Sequence, residues 1–387
     1  VRGPGGLRKV VAGARGGGWT ATVAAAALCL MLLALPAAAQ DTITLTDVAG
    51  RTVTIPRAPK RILLAQGRHF PALTLIHPEA ASLIVGFGGD FKRETATFAL
   101  YLKRYPRLGE LPVIGQGSPA TFSIEAALAT MPDLVITSAY LGGESPASTE
   151  QIRQFEAAGV PVVVVDFFVH PLRDTVPSLR ILGQVLGREA QAQALISFWE
   201  QRRRRIDERV GRLERRPTVF MHVHAGGSDC CYSPGRGTFD AFITAAGGHN
   251  IGADVLPGTT GQLNAEYILS RQPDAYIATG GSHLAARGGF VLGPGVTAEA
   301  AAASFRATIA QPPVASLGAV ARGRALGLWH HFNDTPVNIV AVEAIAKWLH
   351  PQAFADVDPA ASLAEINARF AQVPFGGTFW VSLPAPR

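Results

Sequence analysis

Ser123-Ile124-Glu125 … Leu128 … Pro132-Asp133 … Ile136 returns later in the chain as Asn264-Ala265-Glu266 … Leu269 … Pro273-Asp274 … Ile277, every matched residue displaced by 141 positions. Each copy reads as a short helix opened by a polar cap, with an acid in its first turn, stopped by Pro-Asp and followed by an apolar strand. Any two αβ units share such punctuation, so helix, turn and strand alone are not diagnostic. The acid at the equivalent place in each copy, Glu125 and Glu266, is what points to two lobes built on one plan. Two such lobes suggest a hinged clamp with a ligand between them.

The same alternation continues outward from these copies. Ile43, Leu45, Val48, Val53 and Ile55, with Gly50 at a turn, predict an entering hairpin. Strands are expected over 62–65, 83–87, 134–137 and 160–165, and helices over 72–77, 94–105, 125–130 and 150–158. The second half predicts strands over 219–223, 275–279 and 325–328, with helices over 238–246, 266–271 and 337–349. This β-then-α order implies an α/β fold with mainly parallel sheets covered on both faces. From Arg188 to Leu213 apolar residues recur at helical spacing with neither Gly nor Pro before Gly211. One helix of about 25 residues would span roughly 38 Å, a rigid strut between lobes. The expected organisation is therefore a leader over 1–39, an N-terminal αβ lobe over 40–187, a connecting helix over 188–216 and a C-terminal αβ lobe over 217–387. The Gly/Ala-rich segment 288–303 reads as a mobile loop and short helix.

Residues 1–39 carry Arg2, Arg8, Lys9 and Arg15, then an apolar run over 23–35, then Pro36-Ala37-Ala38-Ala39. This is the pattern of a secretory signal peptide cleaved near Ala39; the run is short for a membrane anchor, and Cys29 sits in a poor lipidation context. The formal net charge of +6 falls to +2 once the leader's four basic residues are set aside. Export and this near balance argue against a nucleic-acid partner. The basic run 202–205, with Arg209, Arg212, Arg215 and Arg216, reads as the solvated face of the strut. Beyond the leader only Cys230 and Cys231 remain, adjacent to each other, which excludes a disulfide framework and leaves a vicinal disulfide, free thiols or a pocket lining open.

The chain resembles the periplasmic substrate-binding proteins of ABC importers that carry ferric siderophores, haem or cobalamin. The resemblance rests on Thr46-Asp47-Val48-Ala49-Gly50-Arg51, Ile55-Pro56 and Pro59-Lys60-Arg61-Ile62. It continues through Leu111-Pro112-Val113-Ile114-Gly115, the two Glu … Pro-Asp units, Ala245-Ala246-Gly247-Gly248-His249-Asn250 and Ala346-Lys347-Trp348-Leu349-His350-Pro351. It implies two αβ lobes joined by one long helix, limited closure on the ligand, no catalysis and a monomer. It further implies docking on arginines of an inner-membrane permease dimer through Glu125 and Glu266. Carboxylates held apart on rigid lobes can register a clamp's orientation, because charge complementarity favours encounter and register over raw affinity.

Ligands of open αβ sheets bind beyond the carboxyl ends of the strands. In the first lobe this selects Gln66, Arg68, His69, Asp90, Lys92, Arg93, Ser138, Tyr140, Phe167 and Phe168; in the second, His224, Cys230, Cys231, Tyr232, Arg236, His283, Trp329, His330 and His331. For any one such residue a solvated side chain is about as good a reading. The clustering of cations and aromatics suits a bulky anionic chelate, an Fe(III) siderophore first, with haem or cobalamin as alternatives and no tightly bound cofactor. His222 and His224, two apart on a strand, would face one side as a metal pair, making His224 a candidate ligand, although a structural histidine is the commoner outcome. His330 and His331 would point to opposite sides if their strand continues. A rival of another class is an exported metal-dependent hydrolase using these histidines with Asp229 or Asp240 as base; neither HExxH nor GxSxG occurs.

Overall fold

The duplicated segment folds twice in the same way, down to its unusual backbone angles. In the first copy Ser123 Oγ accepts a hydrogen bond from the N–H of Ala126 at 3.1 Å and caps the helix Ile124–Ala129. In the second, Asn264 Oδ1 accepts from the N–H of Glu266 at 2.7 Å and caps the helix Ala265–Arg271. Each helix then turns through a non-glycine residue at positive φ, Met131 at 49° and Gln272 at 42°, which delivers the chain to Pro-Asp. Asp133 accepts the backbone N–H groups of Lys60 and Arg61, and Asp274 that of Thr218. Each aspartate so fixes the start of the strand beside its own, and the repeat is a unit of sheet construction.

The computed structural model describes residues 41–142, 146–227 and 230–382, together with Val1. Leader residues 2–39, the cleavage point near Ala39, and Asp229 lie outside the described residues. The chain enters through the hairpin β1 (Thr42–Thr46) and β2 (Thr52–Pro56). Strands β3 (Ile62–Leu64), β4 (Ile84–Phe87), β5 (Leu134–Ser138) and β6 (Val162–Val165) form a parallel sheet in the order β4-β3-β5-β6. All four are buried along their length, as expected of a sheet covered on both faces. The second half holds β7 (Thr218–His222), β8 (Tyr232–Pro234), β9 (His249–Asn250), β10 (Thr260–Gln262), β11 (Ala275–Gly280), β12 (Gly293–Pro294), β13 (Ala325–Trp329), β14 (Gly377–Thr378) and β15 (Trp380–Ser382). Its main sheet runs β15-β13-β11-β7-β9, parallel except for β15. The described residues from 42 to 382 belong to one compact unit.

The helices depart from expectation in one important place. The anticipated strut is the helix Glu189–Val210, 22 residues long. Before it stands a second helix, Pro171–Leu186, that turns back on it through Gly187 at φ 60°. The link between the sheets is thus a helical hairpin. Pro177 inside the first helix removes one backbone hydrogen bond and hides it from pattern reading. The burial of Leu179, Ile181, Leu182 and Val185 offsets that loss.

The arginine run is the solvated face expected only in part: Arg204, Arg212, Arg215 and Arg216 are exposed, whereas Arg202 is buried and Arg205 and Arg209 are half-buried. Arg202 is buried with its guanidinium 3.4 Å from the centre of the Phe198 ring, and it donates to Ser362 and Glu365. Arg205 donates to the fully buried Glu343 at 2.8 Å, and Arg209 pairs with Asp356. Trp199 Nε1 donates to Asn338 at 2.8 Å. The strut is cemented to the second half of the molecule by charge and packing together. Segment 288–303, expected as a loop and short helix, contributes β12, paired with β14, and most of the first turns of the helix Ala298–Ile309.

Candidate functional site

The carboxyl ends of the strands of both sheets open on one cleft of about 590 Å³. From the first sheet come Arg68 after β3, Asp90, Arg93 and Glu94 after β4, and Phe168 after β6. The second sheet supplies His224 after β7, Ser282, His283 and Arg287 after β11, and His330, His331 and Asp334 after β13. This is the position that strand polarity predicts for a ligand site in αβ sheets.

Histidines and carboxylates dominate the cleft. His224 Nδ1 lies 3.0 Å from His283 Nε2, and the rings of His224 and His330 are 3.8 Å apart. His283 Nδ1 and His331 Nε2 approach the same oxygen, Glu94 Oε1, at 3.1 and 2.6 Å. His331 Nδ1 lies 2.8 Å from Asp334 Oδ2. Arg68 spans the cleft, donating to Asp90 at 3.0 Å and to Asp334 at 2.8 Å, while the backbone N–H groups of Gly67 and Arg68 hold Asp90.

Burial disfavours charge on His224, His330, His331, Glu94 and Asp334, and the neighbours decide which keep it. Burial works against the His331 cation, but Glu94 and Asp334 outweigh it and lift its pKa to about 9. Asp334 is brought down to about 2, against its burial, by Arg68 and His331. Glu94 is likewise lowered, its burial outweighed by His331 and His283. His224 is depressed to about 4 by burial and by the His283 and His331 charges, and His330 falls well below its ordinary value for the same reasons. The cleft therefore mixes neutral imidazoles with a compensated charge network.

Placement of the sequence-selected residues is uneven. Arg68, Arg93, His224, His283 and His330 line the cleft. Arg68 is committed to its two aspartates, and Arg93 donates to the carbonyl of Gln116, so the free cationic wall expected for an anionic chelate is not what forms. Tyr232 lines an adjoining cavity of about 300 Å³ with His224, His283 and Arg287. Trp329 is buried behind the cleft, edge-on to His331 at 5.6 Å. His69 is 1 % exposed and packs on Phe167, away from the cleft, because the turn after β3 spends its one outward side chain on Arg68. Lys92 folds over the rings of Phe87 and Phe98, Tyr140 packs on Phe168, and Arg236 is exposed; none of the three lines the cleft. Cys230 and Cys231 form a vicinal disulfide. Glu125 and Glu266 are both exposed.

Two histidine expectations are corrected. β7 ends at His222, which is buried against Phe220 and lies 3.2 Å from the Tyr276 hydroxyl, while His224 sits beyond it at φ 52°; they do not form a pair. β13 ends at Trp329, so His330 and His331 lie on a 3-10 turn and both reach the cleft. Asp240 is half-buried beside Asn250 and does not line the cleft. Glu94 and Asp334 were not among the residues selected. Asp334 stands three residues beyond His331, a spacing that reaches back in a single turn, and Glu94 looked like an ordinary helix start.

His69 and His222 are both held near pKa 4, His69 by burial and the Arg68 charge, His222 by burial. The unfolded chain binds protons at these histidines below pH about 6.5, whereas the folded chain does so only near 4. Their contribution to stability is complete above pH 6.5 and is lost as pH falls toward 4, by up to about 1.4 kcal/mol per pH unit for each histidine. Urea midpoints measured between pH 7 and 4.5 should fall, and His222→Gln should flatten the slope; an unchanged slope counts against this account.

A family profile described as periplasmic binding protein matches residues 95–324. A cobalamin-binding protein of Halobacterium salinarum is 27% identical over 240 residues, covering 61% of this chain and 58% of its own length. The chain thus spans less than two thirds of that relative. Among solved structures, the TroA-like periplasmic binding protein FepB of Veillonella parvula superposes with a TM-score of 0.79 at 24% identity, covering 88% of this chain and 99% of its own. The molybdate periplasmic binding protein MolA of Haemophilus influenzae gives 0.65 at 18% identity, over 87% and 99%. Both likenesses are of fold. No helix among the described residues is long and apolar enough to cross a membrane.

Proposed function

The chain belongs to the periplasmic binding protein family, and on that premise we propose that it is the solute receptor of an ABC importer, capturing a metal chelate between its lobes. In this reading residues 1–39 direct export to the periplasm, and Glu125 and Glu266 dock the loaded receptor on the permease dimer. The observation that carries the choice of cargo is the gathering of four imidazoles and Glu94 at one cleft of about 590 Å³. Imidazole and carboxylate are donors suited to iron, and the room beside them is that of a small chelator. An Fe(III) complex is the cargo proposed, with the exposed Arg287 at the edge of the cleft to meet an anionic group of its chelator. Cobalamin is the second reading, favoured by the relative from Halobacterium salinarum, since an imidazole can also reach cobalt.

Protein recovered from its own periplasm and examined by native mass and visible absorption tests this. A broad visible charge-transfer band with the mass of a ferric chelate is expected. A Soret band would replace iron chelate by haem, and corrin absorption by cobalamin. Protein that arrives bare, and takes up none of the three in calorimetry, would overturn the receptor assignment.

A further inference from the structure

We infer that Glu94, His283 and His331 bind the cargo's metal directly, as a two-histidine, one-carboxylate set bridging the lobes. The inference rests on the receptor reading and deepens it. The cargo is then a first-row metal complex with open coordination positions, not a metal wholly enclosed by its chelator.

Three donor atoms converge. Glu94, His283 and His331 each bring one donor atom within 4.8 Å of the other two, and His283 Nδ1 and His331 Nε2 both face Glu94 Oε1. Bond lengths of about 2.0–2.2 Å to a metal put neighbouring donors roughly 3 Å apart, so small adjustments suffice to seat an ion. The two nitrogens pair with Oε1 at 3.1 and 2.6 Å, and these ion pairs leave neither nitrogen in a well-formed hydrogen bond. Glu94 Oε2 is also buried without a partner. A plain carboxylate–imidazolium pair explains the short distances but not two ring nitrogens and a carboxylate oxygen left unsatisfied in the protein interior.

The far side of each ring is held as a metal ligand's should be. The N–H of a ligating imidazole ordinarily donates to a fixed acceptor, which sets the tautomer and turns the lone pair of the other nitrogen to the metal. His331 Nδ1 has Asp334 at 2.8 Å, and Asp334 is fixed by Arg68 at 2.8 Å. His283 Nε2 has His224 Nδ1 at 3.0 Å, and the His224 backbone N–H donates to Thr279 Oγ1 at 3.0 Å. Asp334 and His224 are positioning residues. A two-histidine, one-carboxylate set leaves one face of a six-coordinate metal open, and here that face adjoins the large cleft. Glu94 follows β4 of the first sheet, whereas both histidines follow strands of the second, so a bound metal would tie the halves together.

The test uses the full exported chain freed of metal and titrated with cobalt(II) chloride, read by visible absorption and calorimetry. One equivalent should bind with ligand-field bands. Glu94→Gln and His283→Ala should each weaken binding by more than the roughly 10- to 100-fold expected of a positioning residue such as Asp334 in Asp334→Asn. Circular dichroism confirms that the variants fold, and the near-isosteric Glu94→Gln guards against a packing artefact in His283→Ala. Iron(III) iminodiacetate, whose tridentate chelator leaves the opposite face of the metal free, should bind the wild type and lose affinity in the same variants. Absence of cobalt binding, or equal binding by wild type and variants, overturns the inference. Tight capture of iron saturated with a hexadentate hydroxamate, equal in wild type and Glu94→Gln, also overturns it while leaving the receptor reading intact. Failure to bind any metal complex would remove both.

Discussion

Cells carrying Glu125→Ala together with Glu266→Ala are expected to stop importing the cargo, although the purified double variant binds it as the wild type does. The two acids stand in the first turns of helices capped in the same manner and are exposed, remote in sequence from the cleft residues. An acid in the first turn complements the helix N-terminus, which accounts for either glutamate alone but not for the pair at equivalent places. Complementary charge across a rim acts on encounter and register, so each single substitution should slow uptake and the double should abolish it. Uptake of a labelled metal complex in whole cells, set beside calorimetry on the purified variants, decides the matter. Lost affinity with normal uptake would invert the assignment.

Arg202→Ala is expected to be the most damaging single change outside the cleft. It removes the ring contact with Phe198, the hydrogen bonds to Ser362 and Glu365 and the nearer environment of Glu343, whose carboxylate is fully buried. Burial already raises the Glu343 pKa in spite of Arg202 and Arg205, so this carboxylate depends on both. Breaking a buried ion pair from one side costs about 3–5 kcal/mol, and the surviving Arg205 contact places this case near the lower figure, about 3 kcal/mol. Chemical denaturation should show it, and adding Glu343→Gln to Arg202→Ala should restore part of the loss. A double variant weaker than the single would mean that the charge is not what matters there.

Much of the fold was legible because strand and helix boundaries carry their own chemistry. The Pro-Asp stops marked β5 and β11 to within two residues, and uniform Val, Ile and Leu runs marked the buried parallel strands. The helix Pro171–Leu186 was missed because two prolines outweigh, in local reading, an apolar face whose value appears only when its neighbour packs on it. The cleft was legible as a place, since strand polarity fixes it, but only partly as a set of residues. His69 and His222 lie one turn or one strand end from the cleft and are buried instead. Glu94 meets His283 and His331 across far-separated sequence, and no local pattern encodes that meeting. Arg202, Arg205 and Arg209 of the strut looked solvated because their acidic partners, Glu343, Asp356 and Glu365, lie far along the chain.

The bridge from Arg68 to Asp334 is built wholly from the chain's own side chains, one from each half, and Asp90 locks its near end. Such a girder lets the two walls stand at working distance on their own account. The arriving solute is then spared most of the ordering entropy that a floppy jaw would demand, so capture from dilute surroundings should be governed by diffusion into a ready-made mouth.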